Sequence, residues 1–532
     1  MLPLLVVLLA SATAATTLDV CVVGAGPAGI GAALALADKG KSVALLDRAA
    51  VVGGQTAFEY RDPATGFRVH MGAIVLVPPD YPRVMALAAR VGLGIRAYSP
   101  GVTGSAWLTP GGTPVPLTAE TLPRMLELQQ RGLADTPGLL AALRRYGTVH
   151  AALRFALRAP GGLGATLALA PELGANYDEW MVANDFSVLL PFASQFLLQS
   201  GYGHAYQTSA ASALKYLTPF TLLCTLGTFG VNVSPALTLA DRTDATGRVW
   251  NSSMYLFDGD AGFMELLSRA AALLPAGALR LGANITGVQR PAAGVPGPVT
   301  VSYHQGGVAQ VVECEQLVVA VPQTASNVRW LGLDEAEFSL FSKVVACNYF
   351  TSAVVVSPPL PTGVTTFPTP FPSWAALLAP LARRLGWRSA LPQPAAPLVA
   401  ALSDPFPYRG DATAFWSVVD ASTNRPPGVP FSANPGLGVV YSYSDDPATT
   451  PAQVAARART ALRGGGRRVD VRATLQHSYY PRVSEAALQA GWFARAAALQ
   501  GRRSTFFCGG LFSFWDVEEA LGSGQDLVAL YF

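Results

Sequence analysis

The chain has 532 residues, 51% of them hydrophobic and 13% charged, with a net charge of +3. That length suggests more than one domain, and so apolar a balance implies a large core, a greasy substrate cavity or membrane contact. A small net charge, without a basic stripe interleaved with aromatics, argues against a nucleic-acid partner. The five histidines and five cysteines show no H-x-x-x-H or C-x-x-C spacing, so neither a metal site nor a redox dithiol is expected.

Residues 1–14 hold an apolar run through Leu9 and end on Ala12-Thr13-Ala14. This resembles a secretory signal cleaved after Ala14, although its n-region lacks Lys and Arg. The alternative is a short extension into the first strand, or an organelle-targeting segment. We read the chain as exported, to the secretory lumen or beyond. Asn232, Asn251 and Asn284 head N-x-S/T sequons, which matter only in a eukaryotic secretory lumen. No other stretch reaches the uninterrupted apolar length of a transmembrane helix.

Residues 18–48 read as strand, glycine turn, helix, strand. An apolar β-run over 18–23 leads into Gly24, Gly26 and Gly29 in G-x-G-x-x-G order, then a small-residue helix over 30–39 and a second β-run over 42–46. Gly24 permits the tight turn, and Gly26 leaves room for a pyrophosphate against bare backbone. Gly29 lets the helix pack closely on the strands, so that its N-terminal N–H groups face the anion. Pro27 suits a first helical turn, where no amide donor is required, and Ala28 shares that turn. Asp47 ends the second strand where a carboxylate can accept from a ribose 2′-OH, with Arg48 beside it. The whole unit predicts dinucleotide binding. Cys21 here, and Cys314 in a later β-run, are expected to behave as small buried hydrophobes.

A paired glycine, Gly53-Gly54, follows within Val52-Gly53-Gly54-Gln55. Two glycines let backbone pass close to a flat or phosphorylated ligand. The order G-A-G-P-A-G, acidic strand end, then G-G resembles that of the FAD-dependent amine-oxidase-like flavoproteins. The resemblance implies that Gly53, Gly54 and Gln55 run beside the FAD diphosphate and ribityl chain. That family often has Arg on both flanks of the glycines; here Val52 and Gln55 stand there. Residues 67–73 resemble the strand and turn that bring backbone, at Gly72 and Ala73, under the isoalloxazine.

From about 81 to 251 the pattern turns helical, with expected helices over 84–91, 122–133, 136–145 and 150–158. Residues 184–216 are apolar on nearly every face and carry Phe186, Phe192, Phe196, Tyr202 and Tyr206. This resembles the inserted substrate domain of the superfamily. Its Gly201-Tyr202-Gly203 turn is similar to a branch including β-cyclopiazonate dehydrogenase-like oxidases and polyenoic fatty acid isomerases. An aromatic run is usually core, yet a cavity lined by Phe and Tyr would suit an apolar or amphipathic substrate.

The chain then returns to the first domain. A helix over 264–274, strands over 279–289 and 299–304, and an apolar strand over 317–322 ending in proline are a familiar superfamily series. The resemblance implies that backbone around Val288 holds the adenine. Lys343, at the start of a β-run through 356, is a candidate for the lysine that holds a water at flavin N5 in amine oxidases. Residues 358–430, dense in Pro, Ala and Trp, read as loops with short helices; 438–443 is a strand and 451–462 a helix. The end of the chain resembles the superfamily's C-terminal FAD segment. A strand over 505–507 enters the glycine turn at Gly510, and a helix opening at Val517 offers N–H groups to ribityl and diphosphate oxygens. Cys508 is expected to be structural, with FAD bound non-covalently.

The fold expected is an α/β Rossmann-type FAD-binding domain (glutathione-reductase-like) with an inserted, mostly helical α+β substrate domain. The expected divisions are a signal at 1–14, FAD-binding segments at 15–80, 251–330 and 471–532, and substrate segments at 81–250 and 331–470. The main functional expectation is an FAD-dependent oxidoreductase that takes a hydride from an apolar or amphipathic substrate, with O₂ as a possible acceptor. The alternatives are isomerisation of a polyunsaturated fatty acid without net redox, and flavin binding without turnover. The absence of a second G-x-G-x-x-G after a strand disfavours nicotinamide dependence, and no G-x-S-x-G elbow supports hydrolysis.

Overall fold

The structure, a computed structural model, describes residues 17–97 (without 57), 106–108, 114–116, 136–222 (without 188), 239, 242–250 (without 245), 255–258, 261–359, 365–367, 409–417 and 435–532. The strand Leu18–Val23 is apolar because it is central. It pairs in parallel with Val43–Asp47 on one side and with Val308–Val319 on the other, and strands of such sheets are buried on both faces. Leu279–Leu281 extends the sheet beyond Val43–Asp47, and Thr505–Phe507 extends it beyond Val308–Val319, both in parallel. The front half of Val308–Val319 pairs antiparallel with Val299–Gln305, which pairs in turn with Asn284–Gln289. One long strand thus serves both the parallel sheet and a three-stranded meander.

The helix Pro27–Asp38 and the C-terminal helix Val517–Tyr531 pack backbone to backbone. A Cβ on Gly31 would stand 2.5 Å from the Leu521 carbonyl oxygen, and one on Gly524 would stand 2.0 Å from that of Ala28. The two chain ends therefore meet on the glycine-turn helix. Cys21 and Cys314 are buried, as their β-runs require, but they are joined to each other across neighbouring strands and do not stand as separate apolar thiols.

The second sheet runs in the order Arg468–Arg482, Val345–Ser357, Leu437–Ser444, Arg409–Ser417, Thr365–Phe367, Ala106–Leu108, Pro114–Pro116. Leu437–Ser444 is buried at every position. The helix Pro451–Leu462 opens on a Thr450/Gln453 capping box and closes one face through Ala458 and Leu462 against Val354, Val440 and Phe415.

Several expected boundaries move. The helices expected over 136–145 and 150–158 are one helix, Thr136–Leu157. Thr148 keeps its hydroxyl inside that helix by donating to the Arg144 carbonyl, so the polar stretch there does not interrupt it. The region read as loops with short helices contains two strands, Thr365–Phe367 and Arg409–Ser417. A strand offered a fully buried partner needs little β-propensity of its own. The return to the first domain expected at 471 falls inside Arg468–Arg482, which pairs with Val345–Ser357 along its length; the next strand to join the first sheet is Thr505–Phe507. The helix Pro82–Arg90, expected in the substrate segment, packs Val84 and Leu87 into the same core as Val20 and Val22. Residues 1–14, Asn232, Asn251, Cys224 and the helix expected over 122–133 lie outside the described residues. Among the described residues, no helix is long and apolar enough to cross a membrane.

Candidate active site

Gly24 adopts φ +110° as the strand ends, and its N–H donates to the Leu46 carbonyl at 2.8 Å. Gly26 is the N-cap of the helix that follows, with no side chain capping it, and Pro27 begins the first turn. The first-turn N–H groups thus keep their need for an acceptor. A Cβ on Gly29 would lie 1.7 Å from the Gly24 carbonyl oxygen, whereas one on Gly26 would meet nothing nearer than Gly54 Cα at 3.8 Å. Gly29 is therefore a packing glycine, and Gly26 faces open space.

Gly53 and Gly54 both take positive φ, and the Gly53 N–H donates to the Ala25 carbonyl at 2.8 Å. The paired glycines are thereby laid against the glycine turn. Asp47 accepts the Ala25 N–H through Oδ2 at 2.6 Å and the Ala49 N–H through Oδ1 at 2.8 Å. Each oxygen keeps acceptor capacity for a sugar hydroxyl.

These segments line one cavity of about 1270 Å³. Gly24, Gly26, Pro27, Ala28, Asp47 and Arg48 form its glycine-turn end. Gly54, Gln55, Gly72, Ala73, Gly510 and Val517 line it further along. Gly72 and Gly510 must be glycine: their Cβ atoms would collide with Thr56 and with the Trp515 ring. Gly29 and Gly53 stand behind this surface and shape it.

Two expected residues lie elsewhere. Val288 packs on the core, and the part of its strand that lines the cavity is 283–286. The run read as one strand over 279–289 breaks at Gly282, where φ is +68°, and a bulge between Ile285 and Gly287 shifts the register. Lys343 is exposed in the turn before Val345–Ser357 and does not line the cavity. The strand begins at Val345, three residues after the β-run opens at Ser342.

The far half of the cavity is aromatic. Tyr202, Tyr216, Tyr349, Tyr441 and Tyr479 line it, with Tyr349 and Tyr479 stacked at 5.2 Å and Tyr202 and Tyr479 at 5.8 Å. Burial raises the hydroxyl pKa of Tyr202, Tyr216, Tyr349 and Tyr479, so these four are neutral hydrogen-bonding groups. His477 lies against Phe58 with ring centroids 5.1 Å apart and shares a 3.2 Å hydrogen bond with Thr351. Burial lowers its pKa to about 4, so the imidazole is neutral near pH 7. Asp516 lines the same half as N-cap of the C-terminal helix.

Two amides lining the cavity are incompletely bonded. Gln323 Nε2 donates to the carbonyls of Val319 and Cys508, at 3.0 and 2.8 Å, and its Oε1 is buried without a partner among the described residues. Gln199 Nε2 is likewise buried and unpartnered. Orphaned buried polar atoms are uncommon in proteins, and a ligand with hydroxyls and ring N–H groups would satisfy the Gln323 oxygen. Cys508 is buried and unbridged, with its pKa pushed up to about 12 by burial, which suits a structural thiol better than an attachment point. Sequence reasoning did not single out His477, Gln199, Gln323 or Asp516. The Thr351 partner of His477 lies 126 positions away, and no local pattern announces such a pair.

A parallel sheet with a glycine turn, an acidic second-strand end and a returning C-terminal helix defines a Rossmann-type fold, joined to a second, sheet-based domain. Residues 22–91 match the family model for an NAD(P)-binding Rossmann-like domain. No curated protein matches the chain by sequence. Among solved structures, a CLA-producing fatty acid isomerase from P. acnes is similar over 97% of this chain and 99% of that one, with a TM-score of 0.68 and 20% identity. Putrescine oxidase bound to putrescine is similar over 96% and 98%, with a TM-score of 0.54 and 15% identity. Cyclohexylamine oxidase from Brevibacterium oxydans is similar over 97% and 98%, with a TM-score of 0.53 and 14% identity. The chain has the fold of the amine-oxidase-like flavoprotein superfamily.

Proposed function

We propose that the protein binds FAD non-covalently and is an oxidoreductase that takes a hydride from a small apolar or amphipathic substrate, with dioxygen as a possible acceptor. The observation that carries this reading is the single cavity running from the glycine turn to the tyrosine wall. At about 1270 Å³ it exceeds the roughly 300–1,000 Å³ of a one-ligand site, which suits a cofactor with a substrate beside it.

The residues fit FAD segment by segment. Gly24, Gly26 and the first helical turn suit a diphosphate, and Asp47 a ribose. Backbone at 283–286 suits the adenine end. Gly54, Gln55, Gly72, Ala73, Gly510 and Val517 suit the ribityl chain and ring, with Gln323 Oε1 ready to accept. When bound, the isoalloxazine supplies two-electron chemistry. The chain's part is to orient the substrate, keep water out and offer uncharged hydroxyl and imidazole groups. The test is anaerobic mixing of the yellow protein with amines. Bleaching, with colour and peroxide returning on aeration, supports the oxidase; yellow protein unchanged by every amine counts against it.

A second reading is isomerisation of a polyunsaturated fatty acid without net redox. The overlay on the P. acnes fatty acid isomerase, stronger than that on either amine oxidase, favours it. Against it, the two arginines among the described lining residues, Arg48 and Arg329, belong to the nucleotide end. Arg48 follows Asp47, and the Arg329–Leu331 turn packs beside Asn284–Gln289. A conjugated product formed without oxygen uptake would select this reading. We also propose export: the Cys21–Cys314 bridge suits an oxidising compartment.

A further inference from the structure

Among the described lining residues the cavity has two carboxyl groups, Asp47 at the glycine-turn end and Asp516 at the aromatic end. Asp516 is placed there by its neighbours in sequence. Phe514 packs on Tyr202 at 4.6 Å and on Tyr216 at 5.2 Å, and Trp515 meets Tyr479 edge-on at 6.4 Å. The carboxyl between these contacts and the helix start is 7% exposed. Its Oδ1 accepts the Glu519 N–H at 2.7 Å, and Oδ2 accepts no hydrogen bond from a described residue. An uncharged aromatic chamber with one half-satisfied carboxyl is a receptor for a cationic nitrogen, whose N–H groups the free oxygen accepts from.

We propose that Asp516 is the proton acceptor of the site: its carboxylate takes a proton from the ammonium nitrogen of an amine substrate held against Tyr202, Tyr216 and Tyr479. The inference rests on the flavin-dependent oxidation proposed above and narrows its substrate to amines. One N–H bond breaks, one O–H bond forms on Asp516, and the electron pair stays on nitrogen, leaving a neutral amine and a neutral acid. Without that pair the adjacent carbon has nothing to stabilise the charge left when its hydrogen departs as hydride.

The surroundings suit the exchange. Burial, then the Glu519 charge, raises the Asp516 pKa to about 8, and Lys215, paired with Glu519 at 3.0 Å, opposes the rise. Asp80 in the turn before the helix Pro82–Arg90, Glu518 on the C-terminal helix, and the hydroxyls of Tyr81, Tyr202, Tyr216 and Tyr479 also interact with its charge. Arg83 acts on Glu519 from the helix Pro82–Arg90. A base with a pKa near the working pH is the effective kind.

The test is Asp516→Asn, since asparagine keeps the N-cap. FAD-loaded wild type and D516N are mixed anaerobically with cyclohexylamine or octylamine between pH 6 and 10. The wild-type rate of flavin bleaching rises about tenfold per pH unit and levels near pH 8. D516N stays yellow, bleaches at least about tenfold more slowly at the plateau, and lacks that limb. A D516N profile matching wild type overturns the assignment and leaves the oxidoreductase reading standing. Yellow protein that neither amine bleaches overturns this proposal and counts against the oxidase reading with it, and protein that takes up no FAD overturns the flavin reading itself. A readout without FAD is melting temperature against pH. A buried acid with a raised pKa loses stability as pH climbs from about 4 towards 8, so the wild type melts lower at pH 9 than at pH 5. The drop is smaller in D516N, with Glu518 and Asp80 supplying the remainder. An equal drop in both proteins overturns the proposal.

Discussion

Gln55 Oε1 accepts the indole N–H of Trp515 at 2.6 Å, while Gln55 Nε2 donates to the Ser478 carbonyl at 2.9 Å. One uncharged side chain beside the paired glycines thus ties them to the C-terminal segment and to the second sheet. Gln55→Leu breaks both bonds and leaves the indole N–H without its partner. At about 1–2 kcal/mol for such a loss, FAD affinity falls on the order of tenfold, measured by quenching of FAD fluorescence on titration. An unchanged Kd contradicts that tie.

Two neighbouring glycines separate stability from binding. Gly29→Ala drives a methyl into the Gly24 carbonyl oxygen, and such overpacking costs about 1–3 kcal/mol or more; the FAD-free protein melts several degrees lower. Gly26→Ala meets no protein atom closer than 3.8 Å at an ordinary φ of −77°. It melts as wild type but loses about a hundredfold in FAD affinity, because the methyl occupies space reserved for the diphosphate. Equal effects of the two substitutions on both measurements would refute this division.

What was legible in the chain was local. The turn from Gly24 to Gly29, Asp47 and the paired glycines answer to requirements met within one βαβ unit, and the structure brings them together as that spacing implies. The tyrosine wall was legible only in part, through Tyr202 in the aromatic run over 184–216. Tyr202, Tyr349 and Tyr479 come from a helix end and two strands of the second sheet, each a plausible core residue alone. Val288 and Lys343 were placed by family resemblance; here the run over 279–289 breaks at Gly282 and bulges after Ile285, with 283–286 lining the cavity, and Lys343 is exposed in the turn before Val345. Asp516 was not singled out in the sequence; the structure shows it as the N-cap of the C-terminal helix and, beside Trp515, as a lining residue of the cavity.

Lys343 supplies a negative prediction. Its side chain is exposed and away from the cavity, so Lys343→Met leaves the rates of flavin reduction and reoxidation within about twofold of wild type, as surface substitutions usually do. A large fall in either stopped-flow half-reaction would return Lys343 to the site.

His477 predicts the acid limb of stability. Its pKa falls from 6.5 to about 4 on folding because burial disfavours the imidazolium. The unfolded chain then binds more protons below pH 6.5, so stability is lost as pH falls from 6.5 towards 4. The contribution is on the order of 3 kcal/mol. His477→Gln flattens that part of the curve of melting temperature against pH, and a wild-type slope in the variant refutes the assignment.

The account turns on a non-covalent flavin, and one measurement addresses it directly. Purified protein, incubated with FAD and desalted, is scanned for flavin absorbance, then denatured and filtered. The account predicts about one FAD per chain, all of it intact in the filtrate, as a preformed cradle with an unreactive Cys508 requires. Colourless protein that leaves FAD fluorescence unchanged on titration would contradict the cradle, and flavin retained on the denatured chain would contradict non-covalent binding.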